Sequence, residues 1–343
     1  MTESMMKYGE MRFAPRTDLS KAVPLPLPFT LFVEPTNVCN FRCEMCPESL
    51  PDYQERAGYY KRMPMRLFEK IVSDLKGWGK VKALKFYFEG EPLLNPDLPD
   101  MIRMSRDAGI AGRIELTTNA SLITAAMARR LVESGLDYAR ISVYALEDSA
   151  HSKVTGSKYT ASQVRENVRV FREVRDAMQS RTPVLYAQWL AESPEADKSF
   201  TEMFAGIVDE VGVEPRHNWN GSDGRLVTIG QGDSKRYPKQ ACPELFYTLA
   251  IKANGDVSAC CIDWSGQLVV GNVEKSSLQE IWEGDALRNL QRLHLAKKRD
   301  QIPGCRDCTL IYNFPDDLDN LAVEEFDSRF TDVLATQEVA CLP

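Results

Sequence analysis

The run Thr30-Leu31-Phe32-Val33-Glu34-Pro35-Thr36, continuing Asn37-Val38-Cys39-Asn40-Phe41-Arg42-Cys43-Glu44-Met45-Cys46, decides how this chain is read. The first half is a short β-type segment, and the second sets three cysteines as Cys-x3-Cys-x2-Cys in the loop directly after it. Open parallel sheets and barrels carry their chemistry there, at the carboxyl ends of the strands. Three thiolates on one short loop can hold three corners of a cubane iron-sulfur cluster and leave its fourth iron open. An open coordination position separates a metal that binds substrate from one that only braces a fold. The competing reading is a zinc knuckle short of one ligand, and no histidine lies nearby to complete it.

Outward from this loop, short β-type runs alternate with longer helical ones, which predicts repeated βα units on a parallel sheet. The expected strands are Thr30 to Thr36, Ala83 to Phe88, Arg113 to Thr118, Tyr138 to Tyr144, Pro183 to Leu190 and Val211 to His217. Apolar residues near the 3.6 period predict helices over Met65 to Lys76, Leu98 to Ala108, Thr124 to Ser134, Ala161 to Met178 and Lys198 to Val208. Asn218 to Gln240, rich in Gly, Ser, Asp and Lys, breaks the rhythm and reads as a domain boundary. Beyond it come two short strands, Tyr247 to Ile251 and Val257 to Cys260, around a turn at Ala253-Asn254-Gly255, and one helix from about Ser277 to Lys298. From Asn313 the chain has eight acidic residues and one arginine, and it reads as a surface tail or a loose cap, with a lid over the site as one role.

A chain of 343 residues suggests about two domains. Apolar residues make up 43% and charged residues 27%, which excludes disorder, collagen and coiled coil. The net charge of −7 disfavours bulk attraction to nucleic acid or anionic lipid. No membrane-length apolar run or signal-peptide core appears, so the expected location is the cytoplasm. There, nine cysteines speak for metal rather than disulfides. They fall into an early group and a late group with none between Cys46 and Cys242, which suggests two metal centres.

The cluster loop and its place after the first strand resemble the radical S-adenosylmethionine (SAM) superfamily over roughly residues 28 to 217. The resemblance implies an α/β fold, a partial (β/α)6 TIM-like barrel, in which the open iron chelates SAM. Reduction then cleaves SAM to a 5'-deoxyadenosyl radical that removes hydrogen from an unactivated carbon. It also implies cofactor-binding roles for Gly90, Glu91 and Pro92 in Phe88-Glu89-Gly90-Glu91-Pro92, for Asn119 in Thr117-Thr118-Asn119, and for Ser142 and Gln188 as ribose contacts. Ala120 stands where the family has glycine, which leaves that turn open.

Cys242, Cys260, Cys305 and Cys308 could ligate a second cluster fully through sulfur, and an all-cysteine zinc site is the alternative. Gly255-x4-Cys260 followed by Cys305-x2-Cys308 resembles a SPASM or shortened twitch domain, which implies one auxiliary 4Fe-4S cluster beside the SAM-binding one. The expected division is an N-terminal extension (1–27), the barrel (28–218), a linker (219–240), the SPASM/twitch domain (241–312) and the acidic tail (313–343). Whether Cys260 or Cys261 binds iron stays open, although the count favours Cys260. Adjacent strand residues face opposite sides, so the other thiol can meet substrate and donate hydrogen.

Enzymes resembling this chain oxidise or epimerise sugars and aminocyclitols, or modify ribosomal peptides. Only 38 residues precede Cys39, too few for a peptide-leader module of roughly 80 residues. The resemblance is nearest to aminocyclitol dehydrogenases: hydrogen leaves a carbinol carbon, a base takes the hydroxyl proton, and the auxiliary cluster takes the electron. An epimerase using Cys261 and a peptide maturase are the alternatives. The implied partners are a small sugar or aminocyclitol and an external electron donor such as flavodoxin or ferredoxin, with neither nucleic acid nor membrane. Glu147, Asp148 and His151 are catalytic candidates because they are polar residues after a strand, and Tyr144 and His217 extend the list. A redox or iron-sensing binding protein is the non-enzymatic alternative. Acyl, phosphoryl and nicotinamide chemistry lack their Gly-x-Ser-x-Gly, P-loop and Gly-x-Gly-x-x-Gly sequences.

Overall fold

The computed structural model describes residues 6–8, 17–190, 192–214 and 239–340. Its strands are β1 (Met6–Tyr8), β2 (Thr30–Val33), β3 (Val81–Phe86), β4 (Ala111–Thr118), β5 (Tyr138–Val143), β6 (Val184–Leu190), β7 (Glu210–Glu214), β8 (Thr248–Ile251), β9 (Asp256–Ser258) and β10 (Val269–Asn272). They form one sheet in the order β1-β7-β6-β5-β4-β3-β2-β8-β9-β10. Pairing is parallel from β1 through β8, and β9 and β10 close it antiparallel. The run β2 to β7 is the six-stranded partial barrel. The β1 strand on the outer edge of β7 had no signal in the sequence, whereas β8 is the strand expected over Tyr247 to Ile251, and its place in the barrel sheet, with Thr30 paired to Thr248 and Val33 to Ile251, was not expected.

Period-two alternation divides each strand between two environments. Leu31, Val33, Leu84, Phe86, Ile114, Leu116, Ala139, Ile141, Leu185, Ala187, Val211 and Val213 join the helices in one apolar core. The helix Met65–Trp78, for example, buries Leu67, Phe68, Ile71, Val72 and Leu75 against it. The intervening positions Phe32, Lys85, Arg140, Ser142, Gln188 and Glu214 line the barrel interior. The apolar face anchors the helices, while the polar face builds the site.

Two expectations are corrected. The single helix from Ser277 to Lys298 is two helices, Leu278–Glu283 and Asp285–Leu295, because Gly284 takes an extended conformation (φ −73°, ψ 153°) between them. The acidic tail is not a loose surface segment: Leu318 and Phe326 are fully buried, and the helix Val323–Ala340 packs Phe326 edge-on against Phe246 at 5.6 Å. Its acid count concealed the apolar face formed by Phe326 and Phe330, one turn apart. Arg329 of the same helix donates to the carbonyls of Ser20 (2.8 Å) and Val23 (3.2 Å), tying the carboxyl-terminal helix to the short amino-terminal helix Leu19–Ala22. The strand expected over Val211 to His217 ends at Glu214. His217, Cys341 and nearly all of the linker lie outside the described residues.

Candidate active site

The loop from Cys39 to Cys46 is pinned on every side. The amides of Arg42 and Glu44 donate to the carbonyls of Thr155 (2.7 Å) and Val154 (2.9 Å), and Cys46 N closes a turn on Cys43 O (2.8 Å). Phe41 packs among Tyr144, His151 and Tyr159 with ring centroids 5.7 to 6.0 Å apart. Asn40 joins the loop to β4 by donating to Ser121 (2.8 Å) and accepting from Asn119 (3.0 Å). The thiols therefore point from a rigid frame. Burial pushes the Cys39 thiol up to about 12 and those of Cys43 and Cys46 well above their ordinary value, and charge on neighbouring thiols adds to the shift at Cys43 and Cys46.

Gly90 is required by close approach. A Cβ there would stand 2.5 Å from both Thr36 O and Val38 O, on the backbone that leads into the cysteine loop. The Glu91 amide donates to Val38 O at 2.9 Å. The Glu91 carboxylate accepts from Thr118 Oγ1 (2.6 Å), Asn119 N (2.7 Å) and Leu93 N (3.1 Å), so Gly90-Glu91-Pro92 is a clasp between the cysteine loop and the end of β4. Burial raises the Glu91 carboxyl to about 7 against those three donors. Ala120 adopts a left-handed conformation (φ 58°), the geometry that glycine takes without a Cβ penalty, so alanine keeps the turn at a local cost.

A cavity of about 680 Å³ begins at Cys39, Cys43 and Cys46, passes Gly90, Glu91 and Asn119, and descends through the barrel to Glu244 and Cys261. Its polar wall is internally bonded. Arg140 donates to Gln188 Oε1 (2.6 Å) and Tyr87 Oη (3.2 Å), and Gln188 Nε2 donates to Ser142 Oγ (3.0 Å). Glu214 accepts from Tyr186, and Lys85 lies 3.9 Å from Glu115. Fixed dipoles and charges of this kind can orient a small polar molecule without reorganising. Ser142 and Gln188 thus reach the cavity as one bonded pair.

At its lower end the second cysteine set assembles. Cys242, Cys260 and Cys305 are buried, Cys308 is half-buried, and each of Cys242, Cys305 and Cys308 has its thiol pushed up chiefly by burial and then by charge on Cys260. Cys261 lines the cavity, where its Sγ donates to Glu244 Oε2 at 3.3 Å, and its thiol is also in hydrogen-bond contact with that of Cys260. All eight described cysteines are free of disulfides. Among the described residues no three Cys, His, Asp or Glu side chains gather closely enough to hold a single metal ion. Both donor sets consist of thiols alone, buried and near enough to repel one another as anions, and that fits iron-sulfur clusters. Cys39, Cys43 and Cys46 would hold one, and Cys242, Cys260, Cys305 and Cys308 the other.

Three catalytic candidates fall away. Glu147 and Asp148 are exposed at the start of the helix Asp148–Thr155, where Asp148 Oδ1 accepts from Ser162 N (2.8 Å), and neither lines the cavity. His151 is 2% exposed, bonded through Nδ1 to Tyr159 O (2.9 Å) and packed behind Phe41, so it supports the loop from outside. Tyr144 does line the cavity. Missed from the sequence were Lys85, Tyr87, Glu89, Arg140, Glu214 and Glu244. Four of these sit in or just past apolar strands at alternate positions, and a charge in a strand covered by helices has only the lumen to face. That signal was available.

Two family models match the chain, the radical SAM superfamily over residues 33–186 and an iron-sulfur cluster-binding (SPASM) domain over residues 242–309. A cofactor-modifying protein for tungsten-containing aldehyde ferredoxin oxidoreductase, from Pyrococcus furiosus, is 30% identical over 153 residues, 45% of this chain and 41% of that protein. The first relatives found are thus matched over less than half their own length. The SAM-dependent 2-deoxy-scyllo-inosamine dehydrogenase of Niallia circulans is 20% identical, over 80% of this chain and 90% of that one. Among solved structures, BtrN in complex with AdoMet and 2-DOIA shares the fold with a TM-score of 0.55 and 18% identity, covering 82% of this chain and 93% of that one.

Proposed function

From the premise that the chain is a radical SAM enzyme ending in a SPASM domain, we propose that it oxidises a hydroxyl-bearing carbon of a small sugar or aminocyclitol to a ketone, with the auxiliary cluster as electron acceptor. The observation that carries this reading is the cavity itself, which is lined by Cys39, Cys43 and Cys46 and extends to Cys261, the residue next to Cys260 of the second set. A substrate held there has a radical source at one end and an electron acceptor at the other. The volume is in the usual range of small-molecule sites, roughly 300 to 1,000 Å³. Bound SAM on the reduced first cluster supplies the hydrogen-abstracting radical, and the second cluster supplies a one-electron acceptor.

The chain's own residues do the rest. Lys85, Arg140, Gln188, Ser142 and Glu214 present donors and acceptors suited to several hydroxyl or amino groups. Phe32, Phe88, Leu310 and Phe314 exclude water beside them. Carboxylates lining the same space, Glu89, Glu214 and Glu244, replace Glu147 and Asp148 as candidates to receive the hydroxyl proton. The similarity to the Niallia circulans dehydrogenase across most of both chains supports the substrate class.

The test is anaerobic turnover of the reconstituted enzyme with SAM, a flavodoxin or ferredoxin donor and a panel of sugars and aminocyclitols. A product two mass units lighter, formed with 5'-deoxyadenosine, supports the reading. A product of unchanged mass in ordinary water that carries one carbon-bound deuterium from deuterium oxide would favour an epimerase instead. That second reading has its own observation in Cys261, whose thiol faces the cavity. Cys261→Ala should then abolish deuterium incorporation, whereas a dehydrogenase would keep its two-unit mass loss.

A further inference from the structure

Arg299 occupies an unusual place beside the second cysteine set. Its Nη1 donates to the carbonyls of both Cys305 and Cys308, each at 3.1 Å, and its Nη2 to Tyr312 Oη at 3.3 Å, with the guanidinium 5.8 Å from the Tyr312 ring centre. The Cys305-x2-Cys308 turn aims two backbone carbonyls at one point, where Nη1 of the guanidinium serves both while Nη2 holds Tyr312. On the opposite flank His294, fully buried, accepts the Cys242 amide through Nδ1 at 3.0 Å. Lys239 places a second cation near, donating to Phe314 O at 2.6 Å. Carboxylates on this side include Glu244, Asp263 and the exposed Asp307 within the Cys305-x2-Cys308 turn. Asp263 is occupied by Ser258 Oγ (2.8 Å), Gln267 N (2.8 Å) and Leu268 N (2.9 Å).

The first cysteine set also has an arginine on ligand backbone, Arg42 Nη1 donating to Cys39 O at 2.9 Å, but it has buried carboxylates beside it as well. Glu48 and Glu91 are both buried next to it, with the partly exposed Arg42 opposing them at 3.2 Å from Glu48. A half-buried guanidinium keeps its charge at every accessible pH and is screened less than a surface one. A fixed positive charge favours the more negative, reduced form of whatever cluster it faces.

We infer that Arg299, braced on the backbone of two ligands, raises the reduction potential of the auxiliary cluster. The inference rests on the reading that Cys242, Cys260, Cys305 and Cys308 hold that cluster. Arg299 is a positioning residue: it touches ligand backbone, not substrate.

The experiment is a redox titration followed by electron paramagnetic resonance on the full chain with Cys39, Cys43 and Cys46 changed to Ala, so that one cluster remains. At the parent's midpoint, Arg299→Gln should cut the ratio of reduced to oxidised cluster about tenfold, equivalent to 59 mV for one electron. Arg299→Lys keeps the charge while losing the fork, and should titrate within about threefold of the parent. A Gln variant that keeps its iron and titrates with the parent overturns the inference. If the Gln variant loses its iron, the Lys variant decides: a parental potential supports the electrostatic role, and a shifted one overturns it. A triple-Ala protein without iron would refute the underlying assignment of the ligands instead.

Discussion

Gly90→Ala is the most demanding perturbation this architecture offers. The added methyl would meet Thr36 O and Val38 O at 2.5 Å and Asn37 C at 2.8 Å, all backbone atoms. None of them can rotate away as a side chain would. The Thr36 to Val38 backbone is also held by Thr36 Oγ1 to Lys61 O (3.0 Å), Asn37 Nδ2 to Tyr59 O (2.7 Å) and Glu91 N to Val38 O (2.9 Å). Overpacking typically costs about 1 to 3 kcal/mol, and contact with pinned backbone belongs at the upper end, about 3 kcal/mol. With an unfolding entropy near 2.1 cal/mol/K per residue, a chain of 343 residues loses about 4 °C of Tm for that cost. Relief requires the cysteine loop to move, so iron bound at the first site should fall as well. Gly77→Ala is the control: nothing lies within 4 Å of its added methyl, and replacing a helical glycine should stabilise by about 0.5 to 1 kcal/mol. Thermal unfolding and iron content, measured side by side after reconstitution, check both. A Gly90→Ala protein that melts and loads iron like its parent would refute the idea that this glycine is set by the approach of the loop.

Glu147→Gln and Asp148→Asn should leave SAM cleavage and substrate turnover unchanged, since both carboxylates lie outside the cavity, and a steady-state assay is sufficient. Truncation after Tyr312 removes Leu318, Leu321, Phe326 and Phe330, and at about 1.5 to 3 kcal/mol for each buried side chain it should cancel most of a normal folding free energy. Circular dichroism melting and solubility of the truncated chain test this. Burial lowers the His294 imidazole to about 4, so the folded state disfavours its protonation. Stability from this group is complete above about pH 6.5 and is lost as pH falls toward 4, by about 3 kcal/mol in all. Denaturant unfolding of parent and His294→Gln across that window should show a difference that shrinks on acidification, and a difference independent of pH would count against it.

Much of the molecule was legible because its signals are local. Cys39, Cys43 and Cys46 mark a loop by spacing, and the strands from Thr30 to Leu190 announce themselves through apolar runs bounded by turns. What escaped depends on distant pairing. β1 becomes a strand by lying against β7, which no three-residue window can foretell, and β8, expected as a strand, joins the barrel sheet through β2, which its own residues do not announce. Glu147 and Asp148 follow the right strand, but the chain turns outward at Ala145 and starts a helix with them. The groups that do face the cavity, such as Lys85 and Arg140, sit inside the strands, where a hydrophobicity pattern registers them as interruptions.

The strand that leads into the cysteine loop is flanked by partners of very different age. β3 follows β2 by about fifty residues, but β8 is more than two hundred residues downstream, and Ala253 N reaches back to Glu34 at 2.9 Å across the same gap. During synthesis at roughly 5 to 20 residues per second, the loop waits tens of seconds with one side of its sheet unpaired. Contacts this remote in sequence form late. Until β8 is made, the strand that leads into the cysteine loop has β3 alone beside it.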